Sequence, residues 1–160
     1  MIRRIIGIDP GLASTGWGIV DYFENRIQYL AHGCIETEAA LPRAQRLFLI
    51  YNQINTVLDT YTPGEAAMET LYFGKNVSSA IAVAEARGVL SLAMAERNIP
   101  LAEFTPHDIK QTVVGVRKAE KEQVQKMVAF ILSLPVIPKP DHAADALGAA
   151  ICAAHGHGLM

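Results

Sequence analysis

Four residues far apart in the chain carry most of the chemistry the sequence offers: Asp9, Glu69, His142 and Asp145. Asp9 follows "IIGI" directly, at the end of a strand that should be buried on both faces, where a charge costs several kcal/mol unless it is paired or binds a cation. Asp-Pro-Gly is also an ordinary turn, with the carboxylate capping backbone amides. Glu69 interrupts the apolar "AAMETLYF", where alternation equally permits an outward-facing edge residue. His142 and Asp145 lie three positions apart in "PDHAADALGAA", so a helix beginning near Asp141 points both from one side of its first turns. Capping accounts for Asp141 after Pro140, and the helix dipole favours Asp145. Neither accounts for His142, because a cationic imidazole is disfavoured at a helix N-terminus while a neutral, metal-ligating one is not. Carboxylates gathered without basic partners repel, and a divalent cation relieves that repulsion. Oxygen-rich ligation suits Mg²⁺ or Mn²⁺ rather than zinc. Two such ions, roughly 4 Å apart, can activate a water and stabilise the leaving oxygen of a phosphodiester. Phosphoryl transfer is the chemistry implied.

A second group of residues is suited to holding a polyanion. The net charge of −2 excludes a protein that coats nucleic acid through bulk positive charge. The charge is unevenly spread, however: residues 1–70 carry 5 basic and 8 acidic side chains, residues 71–140 carry 9 and 6, and residues 141–160 carry 0 and 2. Lys110, Arg117, Lys118 and Lys121 form the centre of the basic stretch, although solvated surface charge explains Arg117 and Lys118 equally well. Directly after Glu69, "LYFGKN" places Tyr72, Phe73, Lys75 and Asn76 beside the acidic residues. Consecutive strand residues face opposite ways, so plain core packing accommodates one of the two aromatics better than both. Stacking on unpaired bases is the alternative.

The elements that position these residues follow from periodicity. "RRIIGIDP", "TGWGIVDYF" and "IQYLAHGCIET" read as a meander of three antiparallel strands. Pro42 to Tyr61 is an amphipathic helix, with Leu47, Ile50, Tyr51, Ile54, Val57, Leu58 and Tyr61 at helical spacing. "EAAMETLYF" returns to strand, Val77 to Asn98 is a long Ala- and Gly-bearing helix, and "PLAEFTPHDI" is a fifth strand ending in a turn, with Lys110 at its end. Lys121 to Leu134 is helical with Val124, Met127, Val128, Ile131 and Leu132 on one face. Residues 141–155 close the chain as a helix with Ala144, Leu147, Ile151 and Ala154 inward. The order βββαβαβαα gives an α/β fold of the RNase H-like type: a mixed five-stranded sheet, three antiparallel strands and then crossover strands, with helices on both faces. With half its residues apolar, a chain of 160 residues is expected to form a single domain over residues 1–160. The apolar region "AIAVAEARGVLSLAMAERN" is interrupted by Glu85 and Arg87, so no membrane span is expected, and a cytoplasmic location follows. Cys34 and Cys152 are far apart with no CxxC spacing, which excludes a zinc knuckle and leaves both as small core residues.

Seven pieces in order, "IIGIDPGLASTGWGIV", "GCIET", "METLYFGKNVSSA", "EARGVL", "IKQTVVG", "AEKEQVQKMV" and "DHAADALGAAI", resemble the RuvC family of bacterial Holliday junction resolvases over essentially the whole chain. "GIDPG" alone is also similar to the phosphate loop of actin-like ATPases and sugar kinases, but their cleft lies between two such units and this chain has one. The resemblance implies a homodimeric, structure-specific endodeoxyribonuclease that resolves four-way DNA junctions in recombination and repair by paired symmetric nicks, with Mg²⁺ or Mn²⁺, two ions per active site. It makes Asp9 the bridging ligand, Glu69 the second carboxylate and Asp145 the last. His142 stands where the family commonly has a further aspartate, and is either a metal ligand or a base orienting the attacking water. The resemblance puts the base-stacking aromatic at Tyr72, with Phe73 the neighbouring candidate, assigns Lys75 and Asn76 to backbone or base contacts, and turns Lys110 and Lys121 toward DNA. A branch-migration helicase complex is a second candidate partner. A junction-binding scaffold without chemistry is the non-catalytic alternative, and the intact Asp9, Glu69 and Asp145 speak against it. Of the remaining histidines, His155 and His157 sit in the tail "HGHGLM", expected to fray.

Overall fold

The computed structural model describes residues 1–70 and 76–156. Five strands and five helices follow one another as β1 (Arg3–Asp9), β2 (Ser14–Phe23), β3 (Arg26–Glu36), α1 (Arg43–Tyr61), β4 (Glu65–Glu69), α2 (Val77–Glu96), β5 (Leu101–Phe104), α3 (Pro106–Val114), α4 (Lys121–Ile131) and α5 (Asp141–His155). The sheet order is β3-β2-β1-β4-β5, with β1–β2 and β2–β3 antiparallel and β1–β4 and β4–β5 parallel. This is the mixed RNase H-like sheet that the strand order implied.

Helices cover both faces, and two cores result. On one side Ile6, Ile8 and Ile19 of the sheet pack against Ile50, Ile54 and Leu58 of α1 and Ala86, Leu90, Ala93 and Met94 of α2. On the other, Ile5, Val20 and Ala67 pack against α5, which is itself covered by Ile109 and Val113 of α3 and Val124 and Val128 of α4. Strand side chains alternate between faces. Ile5 and Ala67 thus fix the α5 side as the face on which Asp9 and Glu69 also lie, because each is reached in steps of two.

Three features differ from the sequence expectation. The segment after β5 is a nine-residue helix, α3, so Lys110 stands on a helix and not at the end of a strand. Its start is fixed by a capping box in which the Thr105 hydroxyl accepts from the Asp108 amide and the Asp108 carboxylate accepts from the Thr105 amide. Helix α5 is buried on every side from Ala146 to Ala154, not along one stripe, because it lies between the sheet and α3/α4. Cys152 is buried as expected, but Cys34, on the edge strand β3, is only half-buried. Helix α2 has the length and hydropathy of a membrane span, yet one of its faces is committed to the α1/α2 core.

Candidate active site

Asp9 and Glu69 end two neighbouring parallel strands. The register pairs Gly7 with Ala67 and Ile8 with Met68, which brings the two carboxylates level at the C-terminal edge of the sheet on the face covered by α5. The turn after Asp9 is held by the fully buried Thr15, whose hydroxyl donates to the Gly11 carbonyl at 2.6 Å and accepts from the Gly11 amide at 3.3 Å.

Three glycines let α5 descend onto this edge. A Cβ built on Gly7 would lie 1.8 Å from the Ala146 carbonyl oxygen, one on Gly16 would lie 2.0 Å from the His142 carbonyl oxygen, and one on Gly18 would lie 2.4 Å from a Leu147 methyl. Any side chain at the first two positions would displace the helix backbone. Their absence seats the first turns of α5 directly over β1 and β2, where Asp9 pairs in register with Gly16. His142 Nδ1 consequently meets Asp9 Oδ2 at 2.9 Å. A neutral ring donating from Nδ1 keeps the lone pair of Nε2 available.

The electrostatics match a gathering of like charges. Burial pushes the Glu69 carboxyl up to about 7, with the negative charges of Asp9 and Asp145 adding to the shift. Burial also lifts Asp145 to about 6, again with Asp9 contributing. Asp9 is raised by burial, against the opposing hydrogen bond from His142. Lys121 Nζ stands 3.7 Å from Asp145 and 3.6 Å from Asp141, a partial counterion at the rim of the cluster. Asp141 does not cap α5: Pro140 occupies that position and no side chain caps the helix, so Asp141 pairs with Lys121 and Lys139.

Among the described residues, no three His, Cys, Asp or Glu side chains are close enough together to enclose an ion. Four ligand-type side chains nevertheless come to this edge from β1, β4 and α5, with His142 and Asp9 in direct contact. The donor set, three carboxylates and one imidazole, fits a hard divalent cation of the Mg²⁺ or Mn²⁺ type. Beside it opens a cleft of about 240 Å³ lined by Glu69, Asp145, Lys110 and Lys121 with an apolar wall of Pro106, Ile109 and Val124. Acids and two ammonium groups lining one cleft suit a phosphodiester.

The other expected contacts divide. Lys110 and Lys121 line the cleft, whereas Arg117 and Lys118 are exposed in the α3–α4 turn. Asn76 caps α2, its side-chain oxygen accepting from the Ser79 amide at 3.3 Å. Tyr72, Phe73 and Lys75 lie outside the described residues. Sequence reasoning missed Thr15, the three glycines and Arg87, whose guanidinium donates to the Glu69 carbonyl. A cation inside the apolar "AVAEARGVL" was the available signal for Arg87.

Known proteins match this architecture over nearly its whole length. The family model described as crossover junction endodeoxyribonuclease RuvC matches residues 5–153. The RuvC of Treponema denticola is 50% identical over 147 residues, 92% of this chain and 83% of its own, and that of Thermotoga maritima is 49% identical over 149 residues, 93% and 89%. The structure of Thermus thermophilus RuvC in complex with Holliday junction substrate superposes with a TM-score of 0.88 at 31% identity, covering 94% of this chain and 92% of that one. With its carboxylates at the ends of β1 and β4 and on α5, this chain belongs to the RuvC family of crossover junction endodeoxyribonucleases.

Proposed function

We propose that this chain, as one domain acting in the cytoplasm, resolves four-way DNA junctions by hydrolysing one phosphodiester in each of two symmetric strands. The observation that carries this reading is the meeting of Asp9, Glu69 and Asp145 on one face of the sheet, all three lifted by burial, with the charge of Asp9 adding to the shift of Glu69 and of Asp145. These three, with His142, are the residues that would hold Mg²⁺ or Mn²⁺, two ions per site. When bound, such ions supply Lewis acidity toward the attacking water and the leaving oxygen. Asp9, central to the register, faces both Glu69 and the α5 residues. His142 orients Asp9 through Nδ1 and offers Nε2 as a ligand or as a base for the water. Lys110 and Lys121 hold the phosphate backbone beside the acids in the cleft, and Arg117 and Lys118 extend that track along the surface. Asn76 and its neighbours Tyr72, Phe73 and Lys75 engage the junction beside Glu69.

Two symmetric cuts require two sites related by a twofold axis, and a homodimer provides them. Val77, Ile81 and Leu92 of α2, with Phe48 of α1, are large apolar side chains left exposed on the two helices that cover the same face of the sheet. Small residues between them, including Gly88, permit close helix approach. A branch-migration helicase complex remains the second partner of this reading.

The test is incubation of a synthetic four-way junction with Mg²⁺ or Mn²⁺, mapping nicks on all four strands. Paired nicks in two strands of like polarity are expected, with none in a linear duplex of the same sequence. Equal cutting of the linear duplex would remove junction specificity, and Asp9→Asn should bind the junction without nicking it.

A further inference from the structure

Among the described residues, Arg87 is a largely buried guanidinium bonded to the backbone of the acidic cluster, and the cleavage reaction gives it no role. It projects from the middle of α2, with only 15% of its side chain exposed. One arm donates to the backbone carbonyl of Glu69, the last residue of β4. The other donates to the carboxylate of Glu103 on β5, which is half-exposed. Taking a guanidinium out of water costs several kcal/mol unless its donors are met. Here the two acceptors belong to two parallel strands, and the donor belongs to the helix that covers them. The Thr70 amide donates to the Phe104 carbonyl at 2.8 Å, the last backbone link between the ends of these strands. Beyond it, Arg87 holds the end of β4 through the Glu69 carbonyl.

That position matters because Glu69 has no ion-pair partner of its own among the described residues: Lys110 and Lys121 act on it only through space. Desolvation lowers the Arg87 pKa, and the charge of Glu69 opposes that shift. The same group therefore supplies a positive field behind Glu69 without bonding to its carboxylate, which lines the cleft. A direct salt bridge would have consumed the carboxylate oxygens.

We propose that Arg87 is a positioning residue for cleavage: by clamping the Glu69 carbonyl against Glu103 it sets the orientation in which β4 presents the Glu69 carboxylate to divalent cations. This rests on the proposed reading of Asp9, Glu69 and Asp145 as the metal-binding acids. Groups that orient a metal ligand typically alter metal affinity or activity by about 10- to 100-fold when removed.

The experiment uses the full chain with a synthetic four-way junction under single-turnover conditions, titrating Mn²⁺. Arg87→Met is expected to lower the maximal rate and raise the Mn²⁺ concentration for half-maximal rate, each by about 10-fold or more. Junction affinity measured in Ca²⁺ should stay within about twofold of wild type, because Arg87 does not face the cleft. Arg87→Lys should recover part of the rate, since an ammonium reaches one acceptor but not both in fixed geometry. Added guanidinium should partly rescue Arg87→Met and leave Arg87→Lys unaffected. Should Arg87→Met fail to fold, Glu103→Gln decides: it keeps Arg87 and removes the anchoring charge, and should raise the half-saturating Mn²⁺ about threefold or more. Wild-type Mn²⁺ dependence in folded Arg87→Met, or in Glu103→Gln, overturns the proposal. Cleavage surviving in Glu69→Gln would instead overturn the metal-site reading on which it rests.

Discussion

Replacing Gly16 by alanine adds a single methyl group at the point where α5 touches the sheet. The new Cβ would stand 2.0 Å from the His142 carbonyl oxygen and 2.8 Å from the Ala143 amide nitrogen, both backbone atoms that cannot rotate away. Ordinary contact begins at 3.4 Å, so the first turn of α5 has to retreat by about 1 Å or more. The 2.9 Å hydrogen bond from His142 to Asp9 then opens to about 4 Å, and Asp145, one turn on, moves with it. Misplacing a reacting group by about 1 Å costs on the order of 10²-fold in rate. Overpacking of this kind costs about 1–3 kcal/mol, a fall of about 3–10 °C in Tm for a chain this long. The assay is single-turnover nicking of a four-way junction at 25 °C, with Tm recorded in parallel. Gly64→Ala, where an added Cβ meets nothing within 4 Å, serves as the control and should match wild type in both. A Gly16→Ala protein that nicks at the wild-type rate would refute the argument that glycine contact sets the distance between α5 and Asp9.

Three further outcomes follow from the site. Because the folded-state pKa values of Glu69 (about 7) and Asp145 (about 6) lie above their ordinary values of 4.5 and 3.8, the native chain holds protons that the unfolded chain has lost. Stability from these groups is therefore greatest on the acid side and falls as pH rises from about 4.5 through 7. After allowance for solvent screening the loss is about 1–2 kcal/mol. Tm in EDTA should drop between pH 5 and 8 more steeply for wild type than for Glu69→Gln/Asp145→Asn, with Mn²⁺ abolishing the difference; equal slopes would contradict it. Lys110→Ala should weaken junction binding across sequences and reduce the slope of log K against log[salt] by about one unit; an unchanged slope removes Lys110 from the phosphate contacts. His142→Asp should shift metal preference from Mn²⁺ toward Mg²⁺, because nitrogen is the better partner for Mn²⁺, and equal or better wild-type cleavage in Mg²⁺ would count against a ligand role.

Much of this site was legible because alternation in strands is strict. Once "RRIIGID" and "EAAME" are parallel neighbours with Ile5 and Ala67 facing one core, Asp9 and Glu69 must share that face. Helical spacing likewise put His142 and Asp145 on one side of α5. The glycines that seat α5 were not legible, since a missing side chain leaves no periodic trace and its meaning depends on a helix arriving from more than 120 residues away. Helix α3 was missed because β-branched Thr112, Val113 and Val114 follow an apparent strand. The Thr105/Asp108 capping box was the countersignal. The striped reading of α5 underestimated its burial because one sequence cannot say that a second layer, α3 and α4, covers its outer face.

The central claim is that Asp9, Glu69 and Asp145 jointly bind divalent cations, and counting Mn²⁺ bound per protomer with an uncleavable four-way junction in place tests it most directly. Electron paramagnetic resonance should give two ions for wild type and fewer for Asp9→Asn, with junction affinity retained. Two ions bound equally well by the Asp9→Asn/Glu69→Gln/Asp145→Asn protein would contradict the account.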